Sequence, residues 1–75
     1  MSHFLVTGAQ IRMGRAGARL SVRELAEAAK IAPNTVTRVE GDQGVNTSTL
    51  TLLQQALERA GIEFGADGSV KLRRE

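Results

Sequence analysis

The sequence predicts a mainly α fold, four to five short helices followed by a C-terminal β-hairpin, built as one domain over residues 1–75. Three observations carry that reading. Two capping boxes, Thr7 to Gln10 and Ser21 to Glu24, each announce a helix start. Leu50, Leu53 and Leu57 recur at helical spacing in a later segment. Apolar and polar residues then alternate on either side of Gly65-Ala66-Asp67-Gly68, the pattern of two strands around a glycine-rich turn. A chain of this length builds a single core and buries only about 60% of its unfolded surface, so local signals carry unusual weight.

In chain order, Thr7-Gly8-Ala9-Gln10 opens the first helix, with Val6 and Ile11 at the positions of a hydrophobic staple. This helix is expected from about Gly8 to Ala16, with Gly17 closing it at positive φ. Ser21-Val22-Arg23-Glu24, flanked by Leu20 and Leu25, opens a second helix over Val22 to about Ala29. Pro33 suits a first helical position, and a third helix runs from it to Glu40, where Gly41 ends it. Asp42 to Asn46 reads as loop. Asn46 or Thr47 can cap a fourth helix, which ends at Ala60 before Gly61. Its stripe of Leu50, Leu53, Ala56, Leu57 and Ala60 is a core face. The helical core thus covers 7–61, and Ile62-Glu63-Phe64 with Val70-Lys71-Leu72 form a hairpin within 62–73. Two strands alone are marginal in water, so the hairpin either packs on its own helices or pairs with another chain.

Composition removes several function classes. There is no cysteine, hence no disulfide framework and no thiolate site, and His3 is the single histidine. No metal, cofactor or catalytic triad is expected, and the chain reads as a binding protein rather than an enzyme. Gly14-Arg15-Ala16-Gly17 lacks the length, strand and lysine of a phosphate loop. No apolar run approaches the roughly 18–20 residues of a membrane span, and Phe4-Leu5-Val6 is too short for a secretory signal, so a cytosolic protein is expected. The net charge of +2 is unevenly laid out. Residues 1–38 hold six basic side chains against two acidic ones, a surplus of +4, whereas 39–70 hold one basic against five acidic, −4. A basic half suits a phosphate-binding face. With only Phe4 and Phe64 as aromatics, stacking on single strands or RNA is disfavoured.

The segment Leu20 to Gly41 carries the functional signal. Leu25, Ala26 and Ala29 point inward from one helix, and Val36 and Val39 from the next. Ala26 is small where the two must cross, and Ile31 plugs the turn between them. Asn34, Thr35, Thr37 and Arg38 are left on the outward face, with 34 and 38 one helical turn apart. Such side chains have the reach and the hydrogen-bonding groups to read base edges in a major groove.

Arg15, Leu20-Ser21, Leu25-Ala26, Ile31, Thr35-Val36, Arg38 and Glu40-Gly41, followed by Leu50, Leu53 and Leu57, make residues 7–61 resemble the Cro-type, or xenobiotic-response-element, helix-turn-helix family typified by the lambdoid phage repressors. The resemblance implies a lambda-repressor-like domain that binds double-stranded DNA and regulates transcription, as a repressor and as a homodimer reading half-sites about 34 Å apart. It implies that helix 33–40 lies in the major groove with Pro33, Asn34, Thr35, Thr37 and Arg38 against the bases. Asn pairs with adenine and Arg with guanine, each worth about 1–3 kcal/mol of discrimination. Phosphates would be held at the start of the second helix, where Ser21 sits, and before the fourth, at Asn46, Thr47 and Ser48, with Arg12, Arg19 and Arg23 as further backbone contacts. Arg15 and Glu40 would form a structural ion pair between the first and third helices. The chain departs from the family pattern at three places: Val22 stands where a phosphate-binding Gln is common, Lys30 where the turn usually has Gly, and Pro33 where a polar reader is frequent. Ile62, Phe64, Val70 and Leu72 are the candidate dimer surface. A second class of function stays open, an antitoxin-like or accessory interaction module that binds a partner through the hairpin or the Leu52 face.

Overall fold

The computed structural model describes residues 5–44 and 46–73; His3 and Val45 lie outside them. The described chain forms α1 (Gly8–Gly17), α2 (Val22–Ala29), α3 (Pro33–Glu40), α4 (Thr47–Arg59), β1 (Ile62–Phe64) and β2 (Val70–Leu72), the lower of the two helix counts expected. The strands pair antiparallel with Ile62 opposite Leu72, Glu63 opposite Lys71 and Phe64 opposite Val70.

Helix starts form as their sequences dictate. Thr7 Oγ1 accepts from the Gln10 amide at 3.1 Å while Gln10 Oε1 accepts from the Thr7 amide at 3.0 Å. Ser21 and Glu24 exchange the same pair of bonds at 3.0 and 2.8 Å. Each box satisfies two amides that a helix mouth otherwise leaves open. Asn46, not Thr47, caps α4, its Oδ1 accepting from the Thr49 amide at 2.9 Å. α3 has no side-chain cap; Ala32 is extended and Pro33 supplies the fixed φ of the first turn.

Helix ends close in a consistent way, and at the first of them the expectation fails. Gly17 does not close α1 at positive φ; it remains the last helical residue, and Arg19 takes φ 60° instead. Beyond it the Leu20 amide donates to the Arg15 carbonyl at 3.0 Å and the Arg19 amide to Ala16 at 3.1 Å, the two bonds of a Schellman ending. α2 ends identically at Lys30, φ 60°, with Ile31 donating to Ala26 at 3.0 Å. α3 repeats it with Asp42, φ 57°, and Gln43 donating to Arg38 at 2.9 Å, while Gly41 stays at φ −92°. The geometry of the last turn, rather than the position of the nearest glycine, decides which residue turns left-handed. Only α4 has its glycine in that place, Gly61 at φ 99°.

The core is one cluster in which Ile11, Leu25, Val36, Leu53 and Leu57 are fully excluded from solvent. Ala60 was expected to complete the α4 stripe but is exposed, because the helix has ended at Arg59 and Ala60 serves as its cap. α1 lies close to α3 because residue 8 is glycine: a Cβ there would collide with the Val39 carbonyl oxygen. The hairpin packs back on this molecule's own helices. A Cβ at Gly14 would stand 3.1 Å from Phe64 and 3.2 Å from Ile62 and Leu57, so the strand rests on bare α1 backbone. Buried Gln10 secures the turn from beneath, donating from Nε2 to the carbonyls of Gly65 at 3.0 Å and Ser69 at 3.2 Å. Ile62 is therefore core and is withdrawn as a dimer contact; Phe64 and Val70 are half-buried, and Leu72 alone of the four is exposed.

Candidate nucleic-acid interface

The site begins with what holds α3 still. Arg15 donates from Nε to Glu40 Oε2 at 2.7 Å and from Nη2 to Oε1 at 3.0 Å, a two-point pair. Its remaining Nη1 donates to the Leu20 carbonyl at 3.1 Å. One guanidinium thus ties the end of α1, the turn into α2 and the last turn of α3. The hydrogen bond that Arg15 donates to Glu40 raises the Arg15 pKa above its ordinary value against the opposing cost of burial, and the carboxylate's charge acts in the same direction as the bond. Arg15 is cationic at every relevant pH.

Beneath α3, Val36 and Val39 are buried, which fixes the rotation of the helix about its axis. Pro33, Asn34, Thr37 and Arg38 are exposed as a consequence, and Thr35 is half-buried at the edge of that face. The side chains of Asn34 and Arg38 hydrogen-bond to no other described residue. Thr37 differs: its hydroxyl donates back to the Pro33 carbonyl at 3.5 Å.

Between α3 and the start of α4 lies an open cleft of about 200 Å³ lined by Thr35, Arg38, Gly44, Asn46 and Thr49. The fold thereby brings two expected base readers beside an expected phosphate contact. Thr49 and Gly44 were not anticipated; their place depends on how the 41–46 loop folds, for which the sequence has no periodicity to read. Thr47 and Ser48 are exposed on the first turn of α4, and the Ser48 hydroxyl donates to Asn46 Oδ1 at 2.9 Å.

At the start of α2 the Ser21 amide is occupied by the Glu24 carboxylate, so the open donors are the amides of Val22 and Arg23, which have no partner within a helix. Arg12 on α1, Arg19 in the turn and Arg23 on α2 are all exposed. Among the described residues no cluster of three His, Cys, Asp or Glu side chains is placed to hold a metal, and no helix is long and apolar enough to cross a membrane. No protein-family model matches the chain, and no curated protein sequence matches it.

Proposed function

We propose that this protein is a sequence-specific double-stranded DNA-binding regulator of the helix-turn-helix type, a repressor that reads the major groove with α3 and works in the cytoplasm as a homodimer. The observation that carries the reading is the pairing of exposure with bracing. Asn34 and Arg38 stand one helical turn apart with no partner among the described residues, on a helix fixed by two buried valines and a two-point ion pair. Long polar side chains without a partner, on a helix that cannot rotate, suit base recognition, because their hydrogen bonds are left to be made to the ligand. The cleft beside Arg38, rimmed by the amino end of α4, and the open amides of α2 are in keeping with phosphate contacts on both flanks.

Titration of binding to random-sequence duplex DNA against salt tests the class of function. Affinity should fall steeply and log-linearly as salt rises, with a slope set by the number of phosphates engaged. No binding at low salt would leave the interaction-module reading, with exposed Leu52 on α4 as its surface.

A further inference from the structure

We propose that the outer edge of β2 receives an extended acidic segment of a partner protein, which adds to the hairpin as a third strand. The hairpin's own bonding fixes which backbone groups are spare. The Gly65 amide donates to the Ser69 carbonyl at 2.9 Å and the Arg73 amide to the Gly61 carbonyl at 2.6 Å, with Lys71 opposite Glu63 between them. Residues 69, 71 and 73 therefore turn their N–H and C=O groups toward β1, and alternation along an antiparallel pair turns those of Val70 and Leu72 the other way. Among the described residues, no bond outside the β1–β2 ladder engages the backbone of either residue. β1 packs against α4 as well as α1 and starts with buried Ile62, whereas Lys71, Leu72 and Arg73 are all exposed. The open edge is that of β2, and a row of spare donors and acceptors on such an edge is a template for an added strand.

Charge names the occupant. By the same alternation Lys71 and Arg73 lie on the strand face opposite to that of Val70 and Leu72. Neither forms a salt bridge with a described residue, although Glu63 is the cross-strand neighbour of Lys71. Two copies of this edge meeting about a two-fold axis oppose lysine to lysine, which disfavours self-pairing and leaves the edge to a strand of opposite charge. The fitting segment alternates acidic and apolar residues. Its carboxylates lie beside Lys71 and Arg73, and its apolar side chains extend the face of half-buried Val70 and exposed Leu72. Nothing in this inference depends on α3.

The test is an NMR titration of the whole protein with a synthetic peptide, Glu-Val-Glu-Val-Glu-Val, blocked at both ends. The Val70 and Leu72 amides should shift and should exchange with solvent about tenfold more slowly when about nine-tenths of the protein is bound, because only the free protein leaves them open. The Arg73 amide, already bonded to Gly61, should keep its exchange rate. Lys71→Gln combined with Arg73→Gln should weaken binding about fivefold. Equal binding of a peptide with lysine in place of glutamate, or of one N-methylated along its pairing edge, overturns the proposal without altering the protein. Protection of the same two amides in the protein alone as its concentration rises assigns the edge to a second copy and overturns it as well. Shifts confined to α3, or none at millimolar peptide, remove it, and the salt titration with duplex DNA is decided separately.

Discussion

At the scale of single residues, the Arg15–Glu40 pair shows how much of the site depends on atoms that never meet a ligand. The two side chains are only 21% and 9% exposed, so either one left alone is a poorly solvated charge. Glu40→Ala should lower unfolding free energy by about 2–3 kcal/mol in urea titration, a large fraction of the total for so small a domain. Replacing both partners by apolar residues, Arg15→Met with Glu40→Leu, should recover most of that loss, because the penalty lies in the orphaned charge. A double variant no more stable than Glu40→Ala would mean the pair contributes attraction rather than mere mutual satisfaction. Lys30 is the opposite case. It is exposed, and its left-handed backbone costs a non-glycine residue about 1–2 kcal/mol. Lys30→Gly should therefore raise stability by about 0.5–1 kcal/mol after glycine's extra unfolded-state entropy is subtracted, visible as a rise of a few degrees in the thermal midpoint. An unchanged or lower midpoint would show that the turn between α2 and α3 gains something from lysine itself.

At the scale of elements, what the sequence made legible was whatever a local pattern controls. Both capping boxes, the proline start of α3, the bounds of α2 and the two strands are local, and all formed where expected. Helix ends were less legible, because a Schellman turn is defined by backbone bonds across six residues and tolerates Arg19, Lys30 and Asp42 as readily as glycine at a modest cost. The docking of the hairpin was left open for a different reason: it depends on partners 55 and 59 residues apart, Gln10 with Gly65 and Ser69, for which a single sequence carries no periodic signal. Within the candidate site, the α3 face could be read from the inward valines, whereas the cleft against α4 required the loop. The hairpin turn carries its own pH signature. Ser69 hydrogen-bonds the Asp67 carboxylate, through its side chain first and its amide second, and holds that pKa below the ordinary carboxylate value. A depressed folded pKa stabilises above the unfolded value and loses that contribution as pH falls through the folded one. The Ser69 amide resonance should therefore be constant through the usual carboxylate range and shift only in stronger acid. A midpoint at the ordinary value would show that the turn bond is not kept in solution.

At the scale of the whole molecule, the proposed DNA-binding role raises the matter of how one short chain would read an operator. The described residues span at most 30 Å, less than the roughly 34 Å between successive major-groove faces, so on the proposed reading one copy would cover one half-site and a second copy would supply the other. Symmetry restricts where the two can meet. A two-fold axis pairing the β2 edges about their centre would set Lys71 against its counterpart, and β1 edges would do the same with Glu63, each a repulsive cross-strand pair. Backbone pairing of the hairpins is therefore disfavoured, and Ile62 is already spent in the core. The dimer surface proposed for the hairpin reduces to exposed Leu72, 47% accessible, at the rim of the strand face that packs on α1. Leu72→Glu should convert a dimer to a monomer in sedimentation equilibrium and weaken binding to a two-half-site duplex far more than to a single half-site. Because the side chain is exposed, its replacement should leave helical circular dichroism unchanged. Retention of the dimer by a folded Leu72→Glu protein would exclude the hairpin and direct the search to the other exposed large apolar residues, Leu5 before α1, Met13 on α1 and Leu52 on α4.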